Sequence, residues 1–458
     1  MGLSDAVFRE LQDITGRAYV TREPEELLCY SFDSTGKSFR PDAVIFPGST
    51  REVSRIMTLA SRTHFCVIPR GSGSGMTGGT LPIQGGVILV FSRMNRILDI
   101  NTETLTAMVE PGVITGDFHQ AVEKLGLFYP PDPASSAFCT LGGNVAECAG
   151  GPRAVKYGVT RDYVLGLEAV LPSGEIIHTG VRTAKGVAGY DLTRLIVGSE
   201  GTLAVVTRIT LKLLPLPESV RTMAVVFTSM KTAARTVSAI IRSRVIPRCV
   251  EFLDKASIGC VIHEFPMPIS GDVEAILILE VDGARDQALH ASQDLRQFCL
   301  DQGAADVVLA DNPVQAQALW KARKALSPAL FKLAPDKINE DIVVPINLIP
   351  DMVEKIESIR QRTRLSIVSF GHAGDGNIHC NIMYNKQDER QAVLAASAVD
   401  ELFEHTLKLG GTITGEHGVG ITKKKYLPWE IGAREIALMG AIKTVFDPAG
   451  ILNPGKIF

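Results

Sequence analysis

A run of glycine and hydroxyl residues, Pro69-Arg-Gly-Ser-Gly-Ser-Gly-Met-Thr-Gly-Gly79, constrains the fold more than any other segment of the sequence. It directly follows an apolar stretch typical of a strand, and its glycines allow backbone N–H groups to approach an anion closely. Part of it, Gly73-x-Gly-x-x-Gly78, formally matches the dinucleotide-binding fingerprint, and Asp99 lies near the expected distance beyond it. No amphipathic helix follows, however, because the chain continues Thr80-Leu-Pro-Ile-Gln-Gly-Gly into a second strand. The segment therefore predicts a pyrophosphate-binding loop outside a Rossmann fold, with a glycine-rich hairpin that binds nothing as the alternative.

Composition makes a small molecule a better expected partner than a nucleic acid. The 458 residues include 47 Lys and Arg against 50 Asp and Glu, which gives a net charge of −3. That balance offers no basic surface on which a phosphate backbone would bind. With 45% hydrophobic and 21% charged residues, the chain has the composition of a globular protein. Its length leaves room for about three domains.

Neither membrane insertion nor export is expected. No apolar run approaches the roughly 18 residues that cross a bilayer, so we expect no transmembrane segment. The N-terminal segment has acidic residues where a secretory signal would have basic ones. We therefore expect a cytoplasmic protein, with peripheral attachment at the inner membrane face as an alternative. Single, scattered cysteines argue against iron–sulfur clusters, structural zinc and disulfides; they are residues 29, 66, 139, 148, 249, 260, 299 and 380.

The periodicity of the sequence separates three regions. Residues 1–215 alternate β-branched runs with Gly-rich turns and contain a helix start at which Thr115 is the expected N-cap. Two prolines in Leu214-Pro-Leu-Pro mark a boundary. Residues 216–410 alternate strands with long amphipathic patterns, which predicts an antiparallel sheet covered by helices. The expected strands of this region are Met223–Phe227, Val250–Leu253, Ala275–Val281, Ile342–Val344 and Leu365–Ser369, and the helical patterns lie near 230–244, 285–301, 313–333, 347–361 and 388–409. Residues 411–458 contain another Gly-rich turn, a charged helix and a tail rich in Pro and Gly.

Further glycine clusters carry a resemblance to a known family. They are Pro130-Pro-Asp-Pro133, Thr140-Leu-Gly-Gly-Asn-Val-Ala146, Ala149-Gly-Gly-Pro-Arg153 and Val197-Gly-Ser-Glu-Gly-Thr-Leu203. Together with the loop at 69–79 they resemble the flavoproteins typified by vanillyl-alcohol oxidase and p-cresol methylhydroxylase, over nearly the whole chain. The resemblance implies the α+β fold class, with a two-subdomain FAD-binding domain of the p-cresol methylhydroxylase type and an α+β, ferredoxin-like cap. The FAD-binding domain would be 1–215, the substrate or cap domain 216–410, and the segment returning to the FAD domain 411–458.

The same resemblance implies FAD as the cofactor. The early glycine loop would hold its pyrophosphate, and the later clusters would contact its other parts. Some members of the family attach FAD covalently through a histidine in or near this loop, which here has none, so we expect non-covalent FAD. Asn453 is expected to approach the cofactor from the C-terminal tail, and a tail that only packs on the first domain is an equally good alternative. The expected cofactor residues are Arg70, Gly71, Ser72, Gly73, Ser74, Gly75, Thr77, Gly78, Asp132, Thr140, Gly143, Asn144, Gly201, Val206 and Asn453.

Two Gly-rich motifs contain three of the nine histidines. In Gly371-His-Ala-Gly-Asp-Gly-Asn-Ile-His379, a tight turn at Asp375-Gly-Asn would let His372 and His379 meet. With the carboxylate of Glu416, the two imidazoles would form a three-ligand site with an open position, suited to zinc, manganese or iron(II). The alternative is that these are ordinary turn and core histidines.

The second motif is Thr414-Gly-Glu-His-Gly-Val-Gly420. In an extended chain, the adjacent Glu416 and His417 point in opposite directions. One of them can therefore bind a metal while the other faces the cofactor.

Both motifs resemble those of FAD-linked 2-hydroxy-acid dehydrogenases, the branch of D-lactate dehydrogenase, the glycolate oxidase flavin subunit and D-2-hydroxyglutarate dehydrogenase. The resemblance implies a divalent metal, a catalytic base and two substrate contacts. The alternative for the arginine is that it lies, with neighbouring lysines, on a basic helix face exposed to solvent. The residues so implied are His372, His379 and Glu416 as metal ligands, His417 as the base, and Asn381 and Arg323 as substrate contacts, with Arg323 on the substrate carboxylate.

The function implied is FAD-dependent oxidation of a small D-2-hydroxy acid to the 2-oxo acid, D-lactate first and glycolate next, with hydride passing to flavin N5. Because the sequence shows no second redox centre, electrons would pass to an external acceptor: a quinone, a cytochrome, or an Fe–S or electron-transfer-flavoprotein subunit. The alternatives are D-2-hydroxyglutarate dehydrogenase, a non-redox FAD enzyme of ether-lipid synthesis, and a non-catalytic flavin subunit of an oxidase complex.

Overall fold

The computed structural model describes residues 3–183 and 185–458. The chain forms two compact units. Unit 1 contains the described residues through Gly150, then Gly158–Leu216 and Glu416–Phe458, and unit 2 contains Gly151–Tyr157 and Pro217–Gly415. The chain therefore changes units at 216/217 and at 415/416, close to the two boundaries expected from the sequence, and it also makes a short excursion at 151–157 that the sequence did not indicate.

Most strands lie at the β-branched runs of the sequence. Two strands of unit 2 were not expected, and one of them carries His379. The strands of the described chain are β1 Val20–Thr21, β2 Ala43–Ile45, β3 Val67–Arg70, β4 Val87–Val90, β5 Ile97–Asn101, β6 Thr106–Val109, β7 Leu127–Phe128, β8 Val164–Val170, β9 Ile176–Gly180, β10 Val205–Lys212, β11 Leu214–Pro215, β12 Ser219–Phe227, β13 Cys249–Asp254, β14 Ala275–Gly283, β15 Asp306–Leu309, β16 Asp336–Val343, β17 Ser366–His372 and β18 Asn377–Tyr384.

The five long helices of unit 2 lie at the five expected amphipathic patterns, and one of them begins and ends at the expected residues, 285 and 301. The shorter helices Ala154–Tyr157 and Lys255–Val261 were not expected. The helices of the described chain are α1 Asp5–Thr15, α2 Pro24–Cys29, α3 Thr50–Thr63, α4 Thr115–Glu123, α5 Leu141–Glu147, α6 Ala154–Tyr157, α7 Leu192–Ile196, α8 Met230–Ile241, α9 Lys255–Val261, α10 Arg285–Asp301, α11 Pro313–Ala329, α12 Ile349–Thr363, α13 Glu389–Lys408, α14 Leu427–Glu430 and α15 Ala433–Phe446.

Unit 1 contains two main sheets, as expected for two subdomains. The first has the order β1-β2-β4-β3, in which β2, β4 and β3 run parallel, and the second is antiparallel with the order β5-β6-β10-β8-β9. Helices α1 and α3 bury their apolar faces on the first sheet, against Ile45, Val67 and Leu89. Residues 71–86, all of them described, contain no helix between β3 and β4, so the rejection of a Rossmann fold is confirmed.

Unit 2 is built on one antiparallel sheet of seven strands in the order β15-β12-β14-β13-β17-β18-β16. Its first four strands in sequence, β12 to β15, alternate with α8 and α10 and have the ferredoxin-like order expected for the cap. Helices α9 and α11 cover one face of this sheet, where Ile258, Leu319 and Leu326 pack on Leu253, Ile278 and Phe370. We call this surface the α11 face.

The sequence predicts neither a transmembrane segment nor a disulfide. In the described part of the chain, no helix is both long and apolar enough to cross a membrane. All eight cysteines lie in that part, and each of them is free.

Candidate active site

Unit 1 contains a cavity formed by the glycine loop after β3, the start of α5 and the segment that leads into β10. We call it the unit 1 cavity. Stretches far apart in the sequence meet there, because β3, α5 and β10 all end or begin at its rim. Of the expected cofactor residues, the following line it: Arg70, Gly71, Ser72, Gly73, Ser74, Gly75, Thr140, Gly143, Asn144, Gly201 and Val206.

The glycine loop is suited to an anion through its backbone. The N–H groups of residues 71–76 donate no hydrogen bond to any described residue. Gly73 has φ +75°, and a Cβ on Gly71 would lie 2.5 Å from Thr140 Oγ1, so glycine is required for both the turn and the close packing. Successive N–H groups in such a turn form an anion-binding concavity, which fits a pyrophosphate.

Four expected cofactor residues do not line the cavity, and three of them connect parts of unit 1. Thr77 donates from Oγ1 to the main-chain oxygen of His417 at 3.1 Å. Asn453 donates from Nδ2 to the oxygens of Gly79 and Glu200 at 2.9 and 2.8 Å. Asp132 lies 4.0 Å from His119 Nδ1. The fourth is Gly78, at which a Cβ would meet Ile421. A cofactor contact for these four stays a prediction.

Glu416 and His417 line the unit 1 cavity together with the glycine loop. Their loop is held by Glu200, whose two carboxylate oxygens accept from the N–H groups of Val419 and Gly420, each at 2.7 Å. The expected base and the expected phosphate loop therefore face one cavity of one unit.

A second buried acid lies beside this loop. Glu147, at the end of α5, lines the cavity, and a Cβ on Gly418 would lie 2.6 Å from its Oε2 and 2.9 Å from Glu200 Oε1. Burial, followed by the charges of Glu200 and Asp33, raises the pKa of Glu147 well above its ordinary value. Its carboxyl group is therefore neutral over a wider pH range than an exposed glutamate.

In unit 2, the turn at 373–376 brings the first two histidines together as expected. His372 ends β17 and His379 lies in β18, and their Nε2 atoms are 3.4 Å apart. Both rings are buried. The Nδ1 atom of His372 contacts the carboxylate of Glu251, and that of His379 lies 3.8 Å from Asp341 Oδ1. Each ring therefore directs Nδ1 toward an acid and Nε2 toward the other ring.

Arg323 projects from α11 onto the α11 face and is only 8% exposed, so it does not belong to a solvated basic helix face. Its Nε and Nη2 atoms each lie 2.7 Å from Glu251 Oε2, and its guanidinium carbon lies 4.7 Å from the ring centroid of Phe370. Burial alone would raise the pKa of Glu251, but the charges of His372 and Arg323 outweigh it and lower that pKa below its ordinary value. The carboxylate is therefore ionised.

Asn381 is fully buried in β18, two residues after His379. Its Nδ2 atom donates to the oxygens of Val368 and His379 at 3.3 and 3.2 Å, and its Oδ1 accepts from Asn339 at 2.6 Å. The side chain is thus engaged within the sheet, and its contact with a substrate stays a prediction.

Asp341 holds the end of unit 2 that leads into the second motif. It is fully buried in β16, and its Oδ2 atom accepts from Thr414 Oγ1 at 3.2 Å and from the N–H of Gly415 at 2.9 Å. Its Oδ1 atom accepts from Asn377 at 2.5 Å. One carboxylate therefore ties the hairpin of β17 and β18 to the segment that precedes Glu416.

Comparison with known proteins decides the family. A family model described as "FAD linked oxidases, C-terminal domain" matches residues 216–457, and one described as "FAD binding domain" matches residues 41–180. The first of these covers more than half of the chain.

The chain belongs to the FAD-linked oxidases.

Relatives and a solved structure agree with this family. The chain is 46% identical to the glycolate oxidase subunit GlcD of Bacillus subtilis over 94% of its own length and 92% of that protein. It is 36% identical to the D-lactate dehydrogenase of Anaerostipes hadrus over 91% of its length and 90% of that protein. The fold is similar to that of p-cresol methylhydroxylase, with a TM-score of 0.82 at 17% identity, covering 100% of this chain and 98% of that one. The expected family, the expected fold and the expected enzyme class, an FAD-linked oxidoreductase, are confirmed.

For an FAD-linked oxidase, the unit 1 cavity fits the cofactor expected from the sequence. Its backbone N–H groups suit the pyrophosphate, and the cavity continues from them to Glu416 and His417. FAD is thus the cofactor that the family and the cavity both support.

The sequence analysis missed three acids of this FAD-linked oxidase: Glu147, Glu251 and Asp341. For Glu251 a signal existed, since it is a single acid within the apolar run Cys249-Val-Glu-Phe-Leu of an expected strand, and acids in such runs are rarely buried without a charged partner. Nothing in the sequence identified that partner, because Arg323 and His372 are 72 and 121 positions away.

Proposed function

We propose that this protein oxidises a small D-2-hydroxy acid to the 2-oxo acid, D-lactate first and glycolate next. The observation that carries the proposal is that His417 and the phosphate-binding glycine loop line the same cavity of unit 1. The names of the relatives support the substrate class, since they are a glycolate oxidase subunit and a D-lactate dehydrogenase.

The proposed roles of the side chains follow from their chemistry. FAD, when bound, supplies the hydride acceptor. His417 accepts the proton of the substrate hydroxyl at an imidazole nitrogen, and general base catalysis of this kind contributes about 10² to 10⁴-fold. Arg323 binds the substrate carboxylate. The edge formed by its Nε and Nη2 is taken by Glu251, so the end formed by Nη1 and Nη2 is the one that would receive the acid in a two-point contact.

We further propose that His372 and His379, with Glu416, bind a divalent metal such as zinc, manganese or iron(II). Two zinc ligands at about 2.0–2.1 Å in a tetrahedral arrangement are about 3.3 Å apart, and the two Nε2 atoms are 3.4 Å apart. A divalent ion, when bound, supplies a Lewis acid. Exhaustive chelation should remove activity while the flavin stays bound, and an active preparation without divalent ions by elemental analysis would exclude the assignment.

The electron acceptor is proposed to be external: a quinone, a cytochrome, or an Fe–S or electron-transfer-flavoprotein subunit. We propose a cytoplasmic location, with peripheral attachment at the inner membrane face as the alternative. Fractionation of cells, followed by assays of each fraction with soluble and quinone acceptors, tests both points.

The deciding experiment is anaerobic mixing of the FAD-loaded protein with both enantiomers of lactate and 2-hydroxyglutarate and with glycolate. We expect D-lactate to bleach the flavin absorbance fastest and L-lactate to leave it unchanged. His417→Ala should keep its FAD and bleach about 10² to 10⁴-fold more slowly. His290→Ala, a change at an exposed histidine of α10, should behave like the wild type.

Other outcomes distinguish the alternatives. Fastest bleaching by D-2-hydroxyglutarate makes that acid the substrate. No bleaching with any hydroxy acid would favour a non-redox enzyme of ether-lipid synthesis or a non-catalytic flavin subunit. Bleaching of His417→Ala at the wild-type rate would remove His417 as the base.

A further inference from the structure

Glu251 connects the two groups of unit 2 to which the proposed function assigns substrate and metal. It lies in β13 directly opposite His372 of β17 in the antiparallel register, and both side chains point to the α11 face. One of its carboxylate oxygens, Oε1, contacts His372 Nδ1. The other, Oε2, accepts a hydrogen bond from Arg323 Nε at 2.7 Å and lies 2.7 Å from Arg323 Nη2 in the same ion pair. The side chain of Glu251 is only 1% exposed, so water cannot replace either partner.

This contact fixes what each nitrogen of His372 can do. In the neutral form in which an imidazole binds a metal, the ring carries its proton on one nitrogen, and a carboxylate against Nδ1 places the proton there. The other nitrogen, Nε2, then has its lone pair directed at His379 Nε2, 3.4 Å away. An acid behind a metal-binding histidine orients the ring and raises its basicity, and losing such an acid typically costs about 10- to 100-fold in metal affinity.

The same carboxylate orients Arg323. The guanidinium is planar, so an acid bound to its Nε and Nη2 edge fixes the direction of the opposite end. Phe370 lies against the guanidinium at 4.7 Å from the ring centroid. Rotation of the arginine is thereby restricted by both an ion pair and an aromatic ring.

We propose that Glu251 is a positioning residue that holds His372 for a divalent metal and Arg323 for the substrate carboxylate. The inference rests on the proposed function, since it needs the metal site at the histidine pair. It adds Glu251 to the residues of the proposed site and assigns a role to each ring nitrogen of His372. It also connects the metal and the substrate carboxylate through one side chain.

Glu251→Gln tests the proposal, because His372 and Arg323 contact different oxygens of Glu251 and an amide keeps only one of these two positions as an acceptor. The matched control is Glu280→Gln on the neighbouring strand β14. Glu280 is also buried, accepts from Trp320 of α11 at 2.6 Å and pairs with Arg248 at 3.4 Å, but it contacts neither histidine. Both variants lose a buried ionic contact, so both should lose thermal stability.

The measurement is the zinc affinity of the metal-stripped, FAD-loaded proteins by competition with a chromophoric chelator. We expect Glu251→Gln to bind zinc about 10- to 100-fold more weakly than the wild type and Glu280→Gln to bind it like the wild type. Equal zinc affinity in Glu251→Gln and Glu280→Gln would overturn the inference and leave the metal site intact. A wild-type protein that binds no zinc, manganese or iron(II) would remove the metal site of the proposed function and this inference with it.

A second measurement needs no variant, in case Glu251→Gln does not fold. In zinc-loaded wild-type protein with ¹⁵N-labelled histidine, His372 should carry its proton on Nδ1, with that proton in slow exchange with water. A His372 that carries its proton on Nε2 would overturn the inference.

Discussion

Thr77 donates a hydrogen bond of 3.1 Å from Oγ1 to the main-chain oxygen of His417, although 340 positions separate the two residues. The N–H of Ile421 in turn donates to the main-chain oxygen of Thr77 at 2.8 Å. The glycine loop therefore holds the segment that carries the proposed base. Thr77, for which the sequence predicts a cofactor contact, thus connects the glycine loop to that segment.

Thr77→Val should slow catalysis without releasing FAD, because it removes one hydrogen bond to the His417 segment and keeps the shape of the side chain. A neutral hydrogen bond contributes about 0.5–1.5 kcal/mol, so we expect kcat to fall about two- to tenfold. Thr77→Ser retains the hydroxyl and should stay near the wild type. Flavin fluorescence titration supplies the second readout, and a loss of FAD affinity in parallel with kcat would mean that the hydroxyl also binds the cofactor.

Gly73→Ala should weaken FAD binding by more than its backbone strain explains. Gly73 has φ +75°, and a Cβ there would lie 2.2 Å from Arg70 Nη2, which donates to the oxygen of Phe32 at 2.8 Å. The left-handed conformation alone costs an alanine about 1–2 kcal/mol. Gly126→Ala is the matched control, since Gly126 has φ +71° and nothing within 4 Å of its Cβ position.

Both glycine variants should melt at a lower temperature than the wild type. Only Gly73→Ala should release FAD at concentrations that saturate the wild type, as measured by fluorescence of the freed flavin. Unchanged FAD affinity in Gly73→Ala would show that the loop does not bind the pyrophosphate.

The sequence predicted most helices and strands of unit 2 and the turn between the two histidines, because these features depend on residues that are close together in the chain. Helix α10 begins and ends at the expected residues, and the turn after His372 brings the two histidines together as expected. The glycine spacing was sufficient to exclude a Rossmann fold, since that fold needs a helix immediately after its loop.

Local sequence patterns could not predict hydrogen-bond and ion-pair partners that are far apart in the sequence. Thr115 was expected to cap α4, which was wrong: Ile114 occupies the N-cap position, and the hydroxyl of Thr115 accepts from Asn144 Nδ2 at 2.8 Å. A buried partner 29 positions away therefore competed successfully with the helix end. The acid behind His372 was missed for the same reason, because only the strand register of β13 and β17 places Glu251 there.

Glu147→Gln should stabilise the protein increasingly as pH rises. Burial and the charge of Glu200 raise the pKa of Glu147 well above its ordinary value. A group whose pKa is higher in the folded state contributes stability below its unfolded pKa, about 4.3, and loses that contribution as pH rises toward the folded pKa. Glutamine is neutral throughout, so the gain in melting temperature should be small near about pH 5 and larger near about pH 8.

Glu110→Gln is the contrasting variant for this pH series. Glu110 is buried but paired with Arg96, whose Nη2 lies 2.8 Å from its Oε1. Glu110→Gln should lower the melting temperature at neutral pH, because it removes the charged partner of Arg96. Glu147→Gln instead removes a buried charge that is repelled by its neighbours. A stabilisation by Glu147→Gln that does not change with pH would contradict the raised pKa.

Arg323→Lys should raise the KM for the 2-hydroxy acid and change kcat less. Lysine keeps the positive charge but lacks the planar fork, so it cannot offer a two-point contact to a substrate carboxylate while it binds Glu251. A hydrogen bond to a charged group contributes about 1.5–3 kcal/mol, from which we expect KM to rise about tenfold to a hundredfold. An interaction made equally in the ground state and the transition state changes KM and leaves kcat unaltered.

Lys324→Ala, a change at the next residue of α11 on its exposed side, is the control and should have no effect on either constant. If Arg323→Lys lowers the melting temperature and leaves KM unchanged, the arginine supports only the fold, and another group must bind the carboxylate.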